Sequence, residues 1–307
     1  MIKETDSRTF FRQLVAPKEH FPMYGQWEIT CRCNLKCVMC YTDCFNTPEK
    51  IRQEISSAEI FRIMDELKEA GVFGLTLTGG EPLAHPDFKE IYRYSWQCGF
   101  LMTVYTNGTL ITEEIANFWL KMLPDRIEIS MHGLEEDFDK ITAVQGSFEK
   151  CLRGIRLLVE RKIPLTLKTV GMTLNKDQVL KIQEYVRAFE NVNWYFGETM
   201  RPALDGSMDP LRFQLSESEL LEIEGRDSKM LQEKEKQKNE LEEEKEKPLK
   251  NHCGSQFKFH IDAYGGLQLC SKKRSETYDL RRGSFEEGFY EALPRFYCPK
   301  KPQSSLV

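Results

Sequence analysis

The chain has 307 residues, with 43 Lys and Arg against 48 Asp and Glu for a formal net charge of -5, and 10 Cys. That length can bury a core for one large domain and a smaller one without disulfide staples, and the mildly acidic balance gives no electrostatic reason to bind nucleic acid or an anionic membrane. Met1 to Arg12 lack the apolar run of a signal peptide and no apolar stretch is long enough to span a bilayer; cysteines that cluster, in too small a number for a secreted disulfide scaffold, fit metal binding in a reducing compartment, so the expected location is the cytoplasm.

Gly25 to Thr30, with Trp27 and Ile29 in alternation, predicts a strand that delivers the run Cys33-Asn34-Leu35-Lys36-Cys37-Val38-Met39-Cys40-Tyr41 from its carboxyl end. Cysteine thiolates are the usual ligands of iron–sulfur clusters, and a four-iron cluster wants four ligands, so a loop with three leaves one iron open. Thiolates also bind zinc. Structural zinc wants a closed tetrahedral set for which this segment offers no obvious fourth ligand, and on the triad alone zinc stays open. Cys31 and Cys44 fit neither role by spacing and read as spare thiols.

Ser56-Ser57-Ala58-Glu59 reads as a capping box, followed by Ile60, Ile63, Met64 and Leu67 on one helical face, with Gly71 as the stop. The unit then recurs. Strand Phe73 to Thr78 leads to a helix from about Asp87 to Cys98, and strand Leu101 to Tyr105 to a helix from about Thr112 to Leu123. Strand Arg126 to Ser130 leads to a helix from about Phe148 to Arg161, strand Leu165 to Val170 to one from about Asp177 to Phe189, and Val192 to Phe196 closes the series. Such alternation predicts a parallel sheet with helices outside, curled into a barrel or part of one, with ligands at the carboxyl ends of the strands.

Those ends carry Thr78-Gly79-Gly80-Glu81-Pro82, Thr106-Asn107-Gly108, Ser130-Met131-His132-Gly133 and Lys168, with Asn175 in the next loop. Adjacent glycines permit a turn that a side chain would block and a close approach of backbone to ligand. Arg226 to Lys250 is a dense run of Glu and Lys, spaced for ion pairs along an exposed helix and best taken as a solvated linker. Beyond it Cys253 precedes a strand from Phe257 to Ile261, a turn at Asp262-Ala263-Tyr264-Gly265-Gly266 and a return strand from Leu267 to Cys270. Cys98 and Cys151 read as small buried residues.

The cysteine triad followed by an aromatic, with Gly79-Gly80-Glu81 one strand later, resembles the signature of the radical S-adenosylmethionine (SAM) superfamily; the resemblance covers roughly residues 25 to 215. It implies an α/β fold, a partial (βα)6 parallel barrel with a small C-terminal cysteine-containing hairpin extension. The implied segments are 1–24 ahead of the barrel, the barrel at 25–215, a charged linker at 216–250 and the extension at 251–307. The implied cofactors are a [4Fe-4S] cluster on Cys33, Cys37 and Cys40, and SAM held by Tyr41, Gly79, Gly80, Glu81, Asn107, Ser130 and Lys168. Lys168 would face the SAM carboxylate, and His132 reads as a loop histidine rather than a proton donor.

Arg201 to Ser207 resembles a loop of the branch that carries SPASM or twitch extensions, and Cys253, Cys270 and Cys298 resemble the ligands of an auxiliary cluster. The chain departs from the full SPASM pattern after Cys298, which leaves one auxiliary iron–sulfur cluster at most, or a truncated chain. The resemblance implies reductive cleavage of SAM and hydrogen abstraction, with a reductant such as flavodoxin or ferredoxin. The substrate expected first is a ribosomally made peptide brought by a separate carrier protein; a small molecule acted on by a twitch-type dehydrogenase or cyclase is the alternative. A non-catalytic iron–sulfur or zinc protein in electron transfer or sensing is the third reading.

Overall fold

The structure is a computed structural model, and it describes residues 20–42, 47–197, 200–227, 257–272 and 274–296. Six parallel strands form the body: β1 (Tyr24–Glu28), β2 (Gly74–Thr78), β3 (Leu101–Thr106), β4 (Arg126–Ser130), β5 (Leu165–Val170) and β6 (Val192–Gly197). Each pairs in parallel with the next in sequence. The sheet does not close, which makes it a partial barrel.

Alternation along each strand divides the side chains. Trp27, Leu75, Leu77, Val104, Ile127, Ile129 and Leu167 are buried in the main core, and the crossover helices supply the rest of it. The best-defined helix is α2 (Ser57–Glu69), which follows the short α1 (Pro48–Gln53). The Ser56 hydroxyl accepts from the Glu59 amide and the Glu59 carboxylate accepts from the Ser56 amide, so the capping box is closed at the expected place. Ile60, Ile63, Met64 and Leu67 form its buried stripe, and Gly71, with φ at +77°, turns the chain out of the helix. The others are α3 (Phe88–Gln97), α4 (Glu113–Lys121), α5 (Glu135–Thr142), α6 (Ser147–Glu160), α7 (Val179–Arg187) and α8 (Glu217–Gly225). Of these, α1, α5 and α8 go beyond the sequence expectation.

The hairpin of β7 (Lys258–Ile261) and β8 (Gly266–Gln268) forms where expected, but not as an appendage. β7 pairs in parallel with β1, from Tyr24 opposite Lys258 to Trp27 opposite Ile261, and β9 (Tyr278–Asp279) completes a nine-stranded sheet in the order β6-β5-β4-β3-β2-β1-β7-β8-β9. Pairing of this kind makes the extension part of the wall from which the cysteine loop springs. Among the described residues no helix is long and apolar enough to cross a membrane. Most of the Glu and Lys run lies outside the described residues.

Candidate functional site

The inward alternation of the strands brings polar side chains to the carboxyl ends. Tyr105 stands opposite Glu128, Ser130 opposite Lys168, and Lys168 opposite Tyr195 in the ladder. These five residues, with Gln26 and Thr78, line a cavity of about 880 Å³, whose walls also include the cysteine loop and residues of a segment from Met200 to Arg212. That size falls at the upper end of the roughly 300–1,000 Å³ usual for ligand pockets.

The cysteine loop is held from both sides. The amides of Lys36 and Val38 donate to the carbonyls of Thr142 and Ile141, at 3.0 and 2.9 Å. Those carbonyls belong to the last turn of α5, where a helix has acceptors to spare. Upstream, the Glu54 carboxylate accepts from the Thr30 hydroxyl (2.6 Å) and the Cys31 amide (2.7 Å) and pairs with Arg32 (3.1 Å). Leu35 is buried as the loop's apolar anchor.

Cys33, Cys37 and Cys40 all line the cavity. Burial, followed by the neighbouring Cys40 and Cys33, pushes the Cys37 thiol well up. Among the described residues no three His, Cys, Asp or Glu side chains converge as they would on a single ion. A tetrahedral zinc site draws its donors onto one point, whereas a four-iron cluster takes its thiolates at separate corners. Soft thiol donors spread around one open cavity fit the cluster. Cys31 is outside that lining, its thiol pushed up to about 11 by burial and then by Glu54. Cys151 is buried and Cys98 half-buried. Cys270 is half-buried beside Ser271 and Lys272 on the cavity rim; Cys253, Cys298 and Cys44 lie outside the described residues.

Gly79 and Gly80 do what a side chain there would prevent. A Cβ on Gly79 would stand 2.3 Å from the Thr30 carbonyl oxygen, and one on Gly80 2.4 Å from that of Arg32. The Gly80 and Glu81 amides instead donate to those same carbonyls, at 3.0 and 2.7 Å. The pair thus clamps the strand that enters the cysteine loop, and both glycines line the cavity.

Glu81, expected to hold SAM, has its side chain engaged by internal donors. It is fully buried and its side chain is spent inside the protein, accepting from the Thr106 hydroxyl (2.7 Å), the Asn107 amide (2.7 Å) and the Leu83 amide (3.1 Å). It ties the ends of β2 and β3 together. Burial pushes its carboxyl up to about 7 against the pull of those donors. A native carboxyl that keeps its proton above the unfolded value of 4.5 stabilises the fold at low pH, and the contribution is lost as pH rises through about 7. Glu81→Gln, whose amide nitrogen cannot accept from the Asn107 amide, is expected to cost about 1–3 kcal/mol near pH 5. Between about pH 5 and pH 8 the wild-type melting temperature should fall more than that of the variant, a comparison that scanning calorimetry makes directly.

Asn107, Ser130, Tyr41 and Lys168 line the cavity as expected. The Asn107 side chain donates to Asn34 of the cysteine loop at 3.0 Å. Lys168 lies 2.9 Å from Glu128 and 4.4 and 5.5 Å from the ring centres of Tyr105 and Tyr195, so it meets any anionic ligand as an oriented, already balanced cation. His132 also lines the cavity; its Nδ1 accepts from the Val170 amide at 3.1 Å, and burial, then the charge of Lys168, brings its pKa down to about 4. Asn175 is buried away from the lining, its amide donating to the carbonyls of His132 and Val170; it braces the β4 and β5 loops.

Glu128, Trp194 and Tyr195, all on the wall, escaped the sequence reading, while Arg201, from the loop singled out there, joins them. The alternation of Glu128 with Ser130 and of Lys168 with Val170 was the available signal for an inward polar face.

An open parallel barrel with three thiols at a cavity on its carboxyl rim is a scaffold for an accessible metal cluster. Residues 27–186 match the Radical SAM superfamily, and the chain belongs to it. It is 32% identical over 175 residues to the AdoMet-dependent heme synthase of Methanosarcina barkeri, covering 57% of this chain and 50% of that protein. To the PqqA peptide cyclase of Granulibacter bethesdensis it is 29% identical over 202 residues, covering 62% of this chain and 53% of that one. The chain thus spans about half the length of these curated relatives. Among solved structures, Streptococcus suis SuiB superposes with a TM-score of 0.66 at 13% identity, covering 95% of this chain and 73% of that one, a likeness of fold.

Proposed function

We propose that this chain is a radical SAM enzyme in which Cys33, Cys37 and Cys40 hold a [4Fe-4S] cluster with one iron free for SAM. The observation that carries the reading is three thiols lining one open cavity, on a loop clamped by Gly79-Gly80 and by the last turn of α5. A reduced cluster on these three cysteines would supply the electron needed for reductive cleavage of the sulfur–carbon bond of SAM, which is the source of the hydrogen-abstracting radical in this chemistry.

The chain's own residues bind and aim. The Gly79-Gly80-Glu81 turn, Asn107 and Tyr41 form the floor for the methionine part of SAM, Lys168 faces its carboxylate, and Ser130 adds a polar contact to the ligand. Tyr105, Trp194 and Tyr195 give the wall an aromatic surface that displaces water from a reactive carbon. A protein reductant such as a flavodoxin or ferredoxin would supply the electron.

The first substrate class is a ribosomally made peptide, presented by a separate carrier protein. Its support is the similarity to a peptide cyclase and to SuiB, also solved bound to its precursor peptide SuiA. A small-molecule substrate is the second reading, favoured by the similarity to a heme synthase. Cys270 with Cys253 and Cys298 completes the proposal as ligands of one auxiliary cluster at most.

Anaerobic reconstitution with iron and sulfide, then SAM and dithionite, tests the activity: 5′-deoxyadenosine is the expected product, and its absence from protein carrying a full cluster contradicts the proposal. Incubation with deuterated peptide and porphyrin candidates decides the substrate class, since the true substrate transfers its deuterium to 5′-deoxyadenosine.

A further inference from the structure

A second buried charged group sits where the extension joins the barrel. Glu28, the last residue of β1, is buried, and the guanidinium of Arg274 meets both of its carboxylate oxygens, Nη1 to Oε2 at 2.8 Å and Nη2 to Oε1. Arg274 is itself steered by its Nε, which donates to the carbonyl of Ser271 on the cavity rim at 3.1 Å. His260 of β7 places Nε2 3.6 Å from Glu28, but burial, then the charge of Arg274, holds its pKa well below the ordinary value. It is neutral at physiological pH, which leaves the balancing of Glu28 to Arg274. The pair stands at the root of the cysteine loop: Glu28 is opposite Thr78 in the ladder, and Thr78 lines the same cavity as Cys40 and Tyr41.

Neither residue lines the cavity, so neither is placed to touch substrate. They are 246 positions apart in sequence, one at the root of the cysteine loop and the other in the extension. A fork-to-carboxylate contact is well suited to hold two segments in fixed relation while cancelling charge.

We propose that Arg274 and Glu28 form a charge-matched pair through which the C-terminal extension sets the reduction potential of the cluster held by Cys33, Cys37 and Cys40. The inference rests on the cluster assignment made above. Cluster potentials respond to net charge and to the surroundings of the ligands, and charges in a poorly solvated barrel mouth are screened far less than at the surface. Reduction adds one electron, here from dithionite. An unbalanced Glu28 carboxylate opposes that electron, and an unbalanced Arg274 guanidinium favours it. Both residues are positioning residues for the reaction.

The test is a redox titration of the reconstituted protein followed by electron paramagnetic resonance, on wild type, Glu28→Gln, Arg274→Gln and the double variant. The expected result is a potential shifted negative in Arg274→Gln, positive in Glu28→Gln, and intermediate in the double variant. If Arg274→Gln loads no cluster, the pair predicts that the double variant regains it. Shifts of the same sign in both single variants, no shift in either, or loss of the cluster from all three overturn the inference. Wild-type protein that binds no cluster refutes the underlying assignment instead, so the two failures are distinguishable.

Discussion

Cys37→Ala is expected to abolish release of 5′-deoxyadenosine from SAM. It stands between Cys33 and Cys40 in the loop, with its thiol pushed well up by burial and by those two neighbours. Alanine removes one ligand of three from a loop that has none to spare. The loss should exceed the ~10–100-fold that removal of an outer-shell partner costs in metal sites, and iron and sulfide content should fall with activity. Cys31→Ala is the control. Its thiol stands outside the cavity, and iron content near that of the wild type is expected. Retention of a full cluster by Cys37→Ala would refute the ligand assignment.

Gly79→Ala is expected to be the most damaging substitution that leaves every polar group in place. The new methyl would meet the Thr30 carbonyl oxygen at 2.3 Å, and the residue's φ of +152° is one that L side chains rarely adopt. Strained backbone costs on the order of 1–3 kcal/mol and overpacking a similar amount. The two cannot be relieved together, because Thr30 is fixed by Glu54 and by the Gly80 amide. Calorimetry should show a destabilisation of about 2–5 kcal/mol, together with poor cluster loading. A variant with wild-type stability and iron content would show that the clamp is dispensable.

The parts of this molecule that were legible in the sequence are those where chemistry dictates residue type at short range. Three thiols in one loop, two glycines where backbone meets backbone, and the Ser56 and Glu59 capping box each announce themselves within a few residues. Strand and helix alternation likewise follows from local periodicity, and the open parallel barrel from the alternation.

What was not legible depends on pairing across the chain. Nothing near Lys258 says that β7 will lie parallel to β1, and so nothing near Arg274 says that it will meet Glu28. The role of α5 was hidden for the same reason. Glu135, Glu136 and Asp137 with Phe138 and Ile141 do make an amphipathic start, but only the folded chain puts its last carbonyls under the cysteine loop. Glu81 and Asn175 illustrate the same point: they sit in motifs at the ligand-facing ends of the strands, and only the folded chain shows which internal groups their side chains tie.

The central claim is an iron–sulfur cluster on three cysteines with one corner open to SAM. Its most direct measurement is the electron paramagnetic resonance spectrum of the dithionite-reduced, reconstituted protein, recorded before and after SAM is added. We expect a four-iron signal whose g values change on SAM binding and which disappears in the Cys33, Cys37 and Cys40 alanine variants. A spectrum indifferent to SAM, or a signal that survives loss of those cysteines, would contradict the account.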